Sequence, residues 1–423
     1  MRWLVLGMIF ILYLVNYADK AILGLAAEPI MKELHLNFEQ FGAVGSSFYF
    51  TYAIGSILLA SLTYRFKTKF LLIVIALGWT VSLTSAYFVH SVTGLIIIRV
   101  MLGFFEGGTY GLAITHLAKW FAAGTRGTVY AIMGSGVIFG SYLTAPVLVP
   151  FILSYGWRHS FALLGVLSLV WAIVFLFFRE QPKKPLEINS SSPEAKSDAK
   201  FKDIGKIIFN PFVLSVFFAS FISMWINAWV AVWAPTYLTK IVGLEPKVMG
   251  LAFAGIGITA AIISIIVGKV TDSSFKKTNN LNKSYVKSIV TALAIGAIGF
   301  GLTTMVQAPV MAIIFLTIGL SMNNCIVPFC SSIYTSIAPH KLVGTISGIA
   351  LAISSVAGII SPIFTGYLVG IAGKNLRAGF NNGVWAVVVI YVLGAIFLVI
   401  AGMRKKKIEG NVTQLVNEEP IRS

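Results

Sequence analysis

The sequence predicts an all-α membrane protein, with twelve transmembrane helices arranged as two halves of six. Three observations carry that prediction. Hydrophobic residues make up 57% of the 423 positions and charged residues only 11%, where soluble domains carry roughly 25% charged residues. The apolar residues come in unbroken runs of about 20, the length of a helix that crosses a bilayer. A polar stretch near the middle of the chain divides these runs six and six.

A water-soluble fold of this composition would expose large apolar patches and aggregate. Helices follow from the continuity of the runs, since barrel strands alternate apolar and polar positions. The first span covers about 3–26; it begins near Trp3 and runs past Ala18, too long for a removable leader, and no small-residue cleavage site ends it. Spans two to six cover about 40–63, 69–89, 93–117, 126–151 and 159–178. Segment 180–210 then holds Gln181, Pro182, Lys183, Lys184 and Pro185, followed by Asn189, Ser190, Ser191, Ser192 and Pro193, the composition of a linker. Spans seven to twelve cover about 211–239, 247–270, 286–305, 309–335, 343–370 and 379–403. The expected units are an N-terminal six-helix bundle (1–179), a cytoplasmic linker (180–210), a C-terminal six-helix bundle (211–403) and a cytoplasmic tail (404–423). Two such halves around a central pathway suit a secondary transporter.

The net charge of +17 would suggest nucleic acid as the partner of a soluble protein. Here the basic residues sit in short connections on alternating sides of the spans. One side holds Arg2, Arg65, Lys67, Lys69, Lys119, Arg126, the linker lysines, Lys269 to Lys287, Lys341 and Arg404 to Lys407; the other holds Lys32, Arg158, Lys240, Lys247, Lys374 and Arg377. This bias places both termini in the cytoplasm, and the charge orients the chain against anionic lipid rather than binding nucleic acid. Cys325 and Cys330 share one apolar run and read as buried thiols, with no metal-ligand spacing.

Of the acidic residues, Asp19 in span one and Glu106 in span four fall inside the membrane. Lys20 and Arg99 are internal as well. A charge at the bilayer centre costs about 2.5–3.5 kcal/mol on insertion scales, so it normally faces inward and serves function. Arg99 and Glu106 are separated by two helical turns and return to one face, about 10 Å apart along the axis. Tyr13, Tyr17 and Lys20 form a polar stripe on span one, with Asn16 and Asp19 beside it. A carboxylic acid in low dielectric can hold and release a proton, and a fixed cation beside it can attract an anion. A proton on the acid frees the cation, so the two loadings favour one another, which is symport coupling. The alternative is a set of static ion pairs joining spans one and four.

The second half carries no charge inside its spans, away from their ends. Their polar candidates are Asn227 in span seven, Asn323 and Asn324 in span ten, and Ser354 and Ser355 in span eleven. Trp225, Trp229, Trp233 and Tyr237 repeat every four residues; such a stripe either packs the bundle or binds a sugar ring. Gly103, Gly107 and Gly111 on span four, with Gly136 and Gly140 on span five, permit close helix approach. An uncharged half opposite a charged one suits a substrate with an acidic head and a neutral, hydroxylated body.

Two motifs bear a resemblance to known families. Gly268-Lys-Val-Thr-Asp272-Ser-Ser-Phe-Lys276-Lys277, read as a loop after span eight, resembles the G-x-x-x-D-x-x-[G]-[R/K]-[R/K] loop of the major facilitator superfamily. Its counterpart after span two keeps Arg65, Lys67 and Lys69 but has Ala60 and Tyr64 in place of Gly and Asp. Asn16-Tyr17-Ala18-Asp19-Lys20 is similar to the N-Y-x-D-R of the anion:cation symporter family, which includes bacterial sugar-acid transporters, sialin and the vesicular glutamate carriers. Arg99-Val-Met-Leu-Gly103-Phe-Phe-Glu106-Gly107 resembles that family's R-x-x-x-G-x-x-E-[GA] signature, and Trp120-Phe121, Arg126 and Gly156-Trp157-Arg158 fit as well. The resemblance implies that Asp19 and Glu106 couple protons, that Arg99 is linked to that coupling, that Tyr52 faces the substrate, and that Asp272 and Arg65 belong to gating loops. Lys20 stands where most members have arginine, which keeps the charge but loses a bidentate grip on a carboxylate. Gly111-Leu112 replaces the family's Pro-Ala, and His116 is offset from a family histidine, so no role passes to it.

The expected function is proton-coupled uptake of a small organic anion, such as a sugar acid, by alternating access. Proton-coupled exchange or efflux is the second transport reading, and a non-transporting sensor on the same fold is a third. The expected protein is a monomer in the cell membrane, without metal or cofactor and without enzymatic activity. Asp19 and Glu106 are the expected proton carriers. Lys20, Arg99, Tyr13, Tyr17, Tyr52, Asn227, Asn323 and Ser354 are the expected substrate contacts.

Overall fold

The computed structural model describes residues 1–182, 205, 207–337 and 343–403. Most of the expected linker and the whole expected tail, 404–423, lie outside these residues. Among the described residues every regular element is helical. Eleven helices are long and apolar enough to cross a membrane, and a twelfth span is a bent pair. In order the spans are Arg2–Leu25, Phe38–Tyr64, Thr68–Phe88, Val92–Ala118, the pair Thr125–Leu143 and Ala145–Tyr155, Trp157–Leu176, Pro211–Val232, Pro246–Thr278, Asn282–Met305, Pro309–Ile337, Ile346–Ile371 and Leu376–Met403.

A helix pairs its own N–H and C=O groups, which is the condition for crossing hydrocarbon. The hydroxyls within the spans follow the same rule. Thr80 donates to Ala76 O at 3.0 Å, Ser168 to Leu164 O at 2.9 Å and Thr303 to Gly299 O at 2.8 Å. Each bonds back into the preceding turn and needs no water. The large residues Leu393, Ile396, Val399 and Ile400 of span twelve are exposed, as a face in contact with lipid requires.

Several boundaries differ from expectation. Span five bends by 42° between its two pieces. The chain passes through a wide turn at Phe139–Leu143 and then meets Pro146, which has no N–H to continue the ladder. Thr144 Oγ1 donates to Gly140 O at 2.6 Å, which gives that carbonyl a partner at the bend. Span seven ends at Val232, and a separate short helix, Ala234–Lys240, starts with Pro235 in its first turn. Span eight runs eight residues past its expected end, to Thr278. Asp272 therefore lies on the helix of span eight and not in the loop expected after it. Its carboxylate accepts from Tyr285 Oη at 2.9 Å, which ties the end of span eight to the start of span nine. Arg65 is exposed in the connection after span two.

Close packing runs through small residues. A side chain at Gly103 or Gly107 would drive its Cβ to 2.2 Å from Phe48 O or Tyr52 O respectively, so spans four and two touch backbone to backbone. Spans one to six meet spans seven to twelve through contacts gathered at one end. Gly24 lies against Ala231 of span seven, and Gly42 against Pro362 of span eleven. Trp233 packs on Phe38 and Phe41 and donates from Nε1 to Pro362 O at 2.9 Å. The Ile363 N–H donates to Ser46 Oγ at 3.2 Å, and Lys240 pairs with Glu28. This is the end at which span one terminates, opposite the chain's N-terminus.

Candidate functional site

Asn16, Asp19 and Lys20 sit on span one among mostly apolar neighbours, and their faces are set by the helical turn. Asp19 and Glu106 are fully buried and Arg99 is 2% exposed. Lys20 keeps 11% of its side chain accessible, so of the four it is the one that reaches towards solvent. Both acids are thus shut off from solvent in this conformation, and Lys20 is the partly accessible member of the cluster.

Lys20 Nζ donates to Asn16 Oδ1 at 2.9 Å and lies 3.0 Å from Glu106 Oε2, at an angle that makes an ion pair without a hydrogen bond. Its ammonium also stands 4.1 Å from the centre of the Tyr17 ring, 5.1 Å from Tyr52 and 5.9 Å from Phe48. The negative faces of those rings favour a cation. The Arg99 guanidinium lies 4.6 Å from the Phe48 ring, so one ring borders both cations. Arg99 Nε and Nη1 are buried without hydrogen-bond partners among the described residues.

The Asp19 and Glu106 carboxyl groups are neighbours in this cluster, and none of their four oxygens has a hydrogen-bond partner among the described residues. Neither oxygen of Asp19 receives a donor from any other described residue. Two ionised carboxylates in that position would repel, and a buried ion without donors is costly. A single proton between them turns the repulsion into a hydrogen bond. The arrangement can therefore store a proton beside two cations.

Tyr13 is buried, with its ring 6.0 Å from Tyr17. Span five reaches this stripe through Gly140, where a Cβ would stand 2.3 Å from Leu14 O. In the second half, Asn323 Nδ2 donates to Asn227 Oδ1 at 3.0 Å, and Tyr391 Oη donates to Asn323 Oδ1 at 2.8 Å. Ser354 is not joined to this cluster by a hydrogen bond; it donates to Ala350 O of its own helix at 2.7 Å. The aromatic stripe of span seven is packing. Trp225 stacks edgewise on Phe364, Trp229 on Tyr237 and Trp233 on Phe380. Phe48 and Tyr391 escaped the sequence reading, since an aromatic residue in an apolar run carries no distinguishing signal. His116 is buried, with Nδ1 2.9 Å from Thr68 Oγ1, away from the four charges.

Twelve apolar spans around a buried cluster of two acids and two bases define a membrane transporter. The chain belongs to the Major Facilitator Superfamily, which matches it over residues 9–362. It is 30% identical over 386 residues to a protein of Cupriavidus necator described as a probable sulfoacetate transporter, covering 88% of each chain. It is 25% identical over 370 residues to the hexuronate transporter of Bacillus subtilis, covering 86% of this chain and 87% of that one. Its fold matches a crystal structure of a bacterial homologue of the human lysosomal transporter Spinster with a TM-score of 0.79 at 19% identity, covering 95% of this chain and 96% of that one. Family and relatives are transporters rather than enzymes, and this chain is a multi-pass membrane transporter.

Proposed function

We propose that the chain is a proton-coupled symporter that takes up a small organic anion by alternating access. The observation that carries this reading is the Asp19–Glu106 pair, buried together beside Lys20 and an Arg99 whose Nε and Nη1 have no partner among the described residues. With both acids ionised, Glu106 neutralises Lys20. With a proton on the pair, the cations are in excess by one and an anion is drawn in. Its charge then holds the proton in turn, which is the reciprocal coupling a symporter needs. The names of the relatives, a sulfoacetate and a hexuronate carrier, support a carboxylate or sulfonate as the cargo.

The same reading takes Lys20 and Arg99 as anion contacts, with Tyr13, Tyr17, Tyr52, Asn227 and Asn323 lining the rest of the site. It takes residues 1–179 and 211–403 as two units that rock about the site, with both termini in the cytoplasm of a bacterial cell and a monomer as the working form. The resemblance to the anion:cation symporter signatures at 16–20 and 99–107 supports it.

The test is uptake of sulfoacetate and glucuronate into proteoliposomes under an imposed pH gradient, acidic outside. Accumulation is expected in the wild type. Asp19→Asn and Glu106→Gln are expected to abolish accumulation while leaving exchange of external for internal anion. Accumulation by both variants at the wild-type level would remove the coupling role. Wild-type accumulation only with the gradient reversed would establish antiport.

A further inference from the structure

Span seven is buried along most of its length, yet Asn227 is exposed between buried Ile226 and buried Ala228. Its place follows from the contact one turn further on. Ala231 meets Gly24 of span one, and four positions earlier on each helix stand Asn227 and Lys20, on the same faces. The contacts between the two halves gather at the end where Gly24 meets Ala231, and one turn away from it both Lys20 and Asn227 are accessible. Asn227 and Lys20 therefore face one gap from opposite sides.

The orientation of the Asn227 amide follows from its neighbours. Tyr391 is fully buried, and its hydroxyl has one partner among the described residues, Asn323 Oδ1 at 2.8 Å. A buried hydroxyl with a single partner must donate, because an unmet O–H donor is costly. Asn323, 1% exposed, is thereby fixed with its oxygen towards Tyr391 and its NH2 towards Asn227, 3.0 Å from Oδ1. Asn227 spends its oxygen on that bond, which leaves its NH2 turned to the gap with no partner among the described residues. The Tyr391 ring is itself held in place: it packs edgewise on Phe300 at 5.5 Å and fills the notch at Gly296, where a Cβ would stand 2.8 Å from it.

We propose that Tyr391 is a positioning residue which, through Asn323, presents Asn227 to the cargo purely as a hydrogen-bond donor. The site then selects a small anion with a second oxygen-bearing group opposite its anionic head, such as a sulfonate, carboxylate or hydroxyl. A molecule lacking an acceptor at its far end leaves the Asn227 NH2 unanswered. This inference rests on the anion-transport reading above.

The test is calorimetric binding to the purified full-length protein, with sulfoacetate and glucuronate as two-ended probes and acetate as the one-ended probe. The wild type is expected to favour the two-ended probes by about tenfold or more, the worth of one well-placed bond to an ionic group. Tyr391→Phe is expected to lower that ratio by about tenfold while leaving acetate affinity near wild type. A merely structural tyrosine would weaken all three probes together, and that result overturns the proposal. Asn227→Ala, at an exposed position outside the core, should lose the same discrimination and decides the matter if Tyr391→Phe does not fold. An unchanged ratio in Asn227→Ala also overturns it. Failure of the wild type to bind any of the three probes would instead sink the anion-transport reading itself.

Discussion

Under the proposed symport, Lys20 serves Glu106 and the anion in turn. Its ammonium is held by Asn16 and Glu106 and bordered by Tyr17 and Tyr52, a shell shaped for a compact cation. A guanidinium, planar and forked, would need a wider space. Lys20→Ala is expected to weaken binding of sulfoacetate by tenfold or more, measured by thermal shift against ligand concentration; unchanged affinity would make Lys20 a structural tie to Glu106. The four charges were legible in the sequence because each interrupts an apolar run. Phe48, which borders both cations, was not, because spans two and four must first be packed before its ring lies beside Arg99. The same holds for Tyr391, whose meaning lies in a contact 68 residues away in sequence.

At the scale of elements, the start of span three is secured from a distance. Glu180, just after span six, accepts from the Thr68 and Lys69 backbone N–H groups at 3.1 and 2.8 Å, from Thr68 Oγ1 at 2.9 Å and from Lys119. The carboxylate caps a helix whose own N-cap, Lys67, supplies no side-chain acceptor. Partial burial acts to raise the Glu180 carboxyl, but the bonds from Lys119, the Lys69 N–H and Thr68 outweigh it and hold the group below the usual glutamate value. A lowered folded value stabilises the protein above the unfolded value of about 4.3. That contribution is intact above about pH 5 and is lost as pH falls through the folded value. Glu180→Gln is expected to lower the melting temperature at pH 7, at a cost of about 1 kcal/mol for the weakened cap, and to flatten the fall in stability below pH 5. Melting curves of the two proteins from pH 3.5 to 7 check this; parallel curves would show that Glu180 carries no linkage. The sequence placed Glu180 at the head of a linker and could not show that the chain turns back there. It likewise ended span eight at 270, where Lys269, Asp272, Lys276 and Lys277 break the apolar run, yet the helix continues to Thr278 because its polar end no longer needs lipid.

At the scale of the whole molecule, the number of spans and their connections were readable from hydropathy alone, since each crossing must be closed by its own hydrogen bonds. Which end of the molecule is shut was not readable. Closure depends on Gly24 meeting Ala231, Gly42 meeting Pro362 and Trp233 meeting Phe41, pairs that any alternating conformation makes or breaks without changing the sequence pattern. The Glu28–Lys240 pair across that end is about half exposed on both partners and contributes little by itself. The buried cluster has a consequence for energetics. Two bases and two acids sum to zero, and a singly charged anion arriving with one proton leaves the sum at zero. Neither the loaded nor the empty crossing then does electrical work against the membrane potential. Glucuronate uptake is expected to be indifferent to a potassium diffusion potential, whereas the doubly charged sulfoacetate with a single proton should be slowed when the vesicle interior is negative. Under the proposed one-to-one coupling, acidity alone would drive a monoanion inward, even in a cell whose voltage has collapsed.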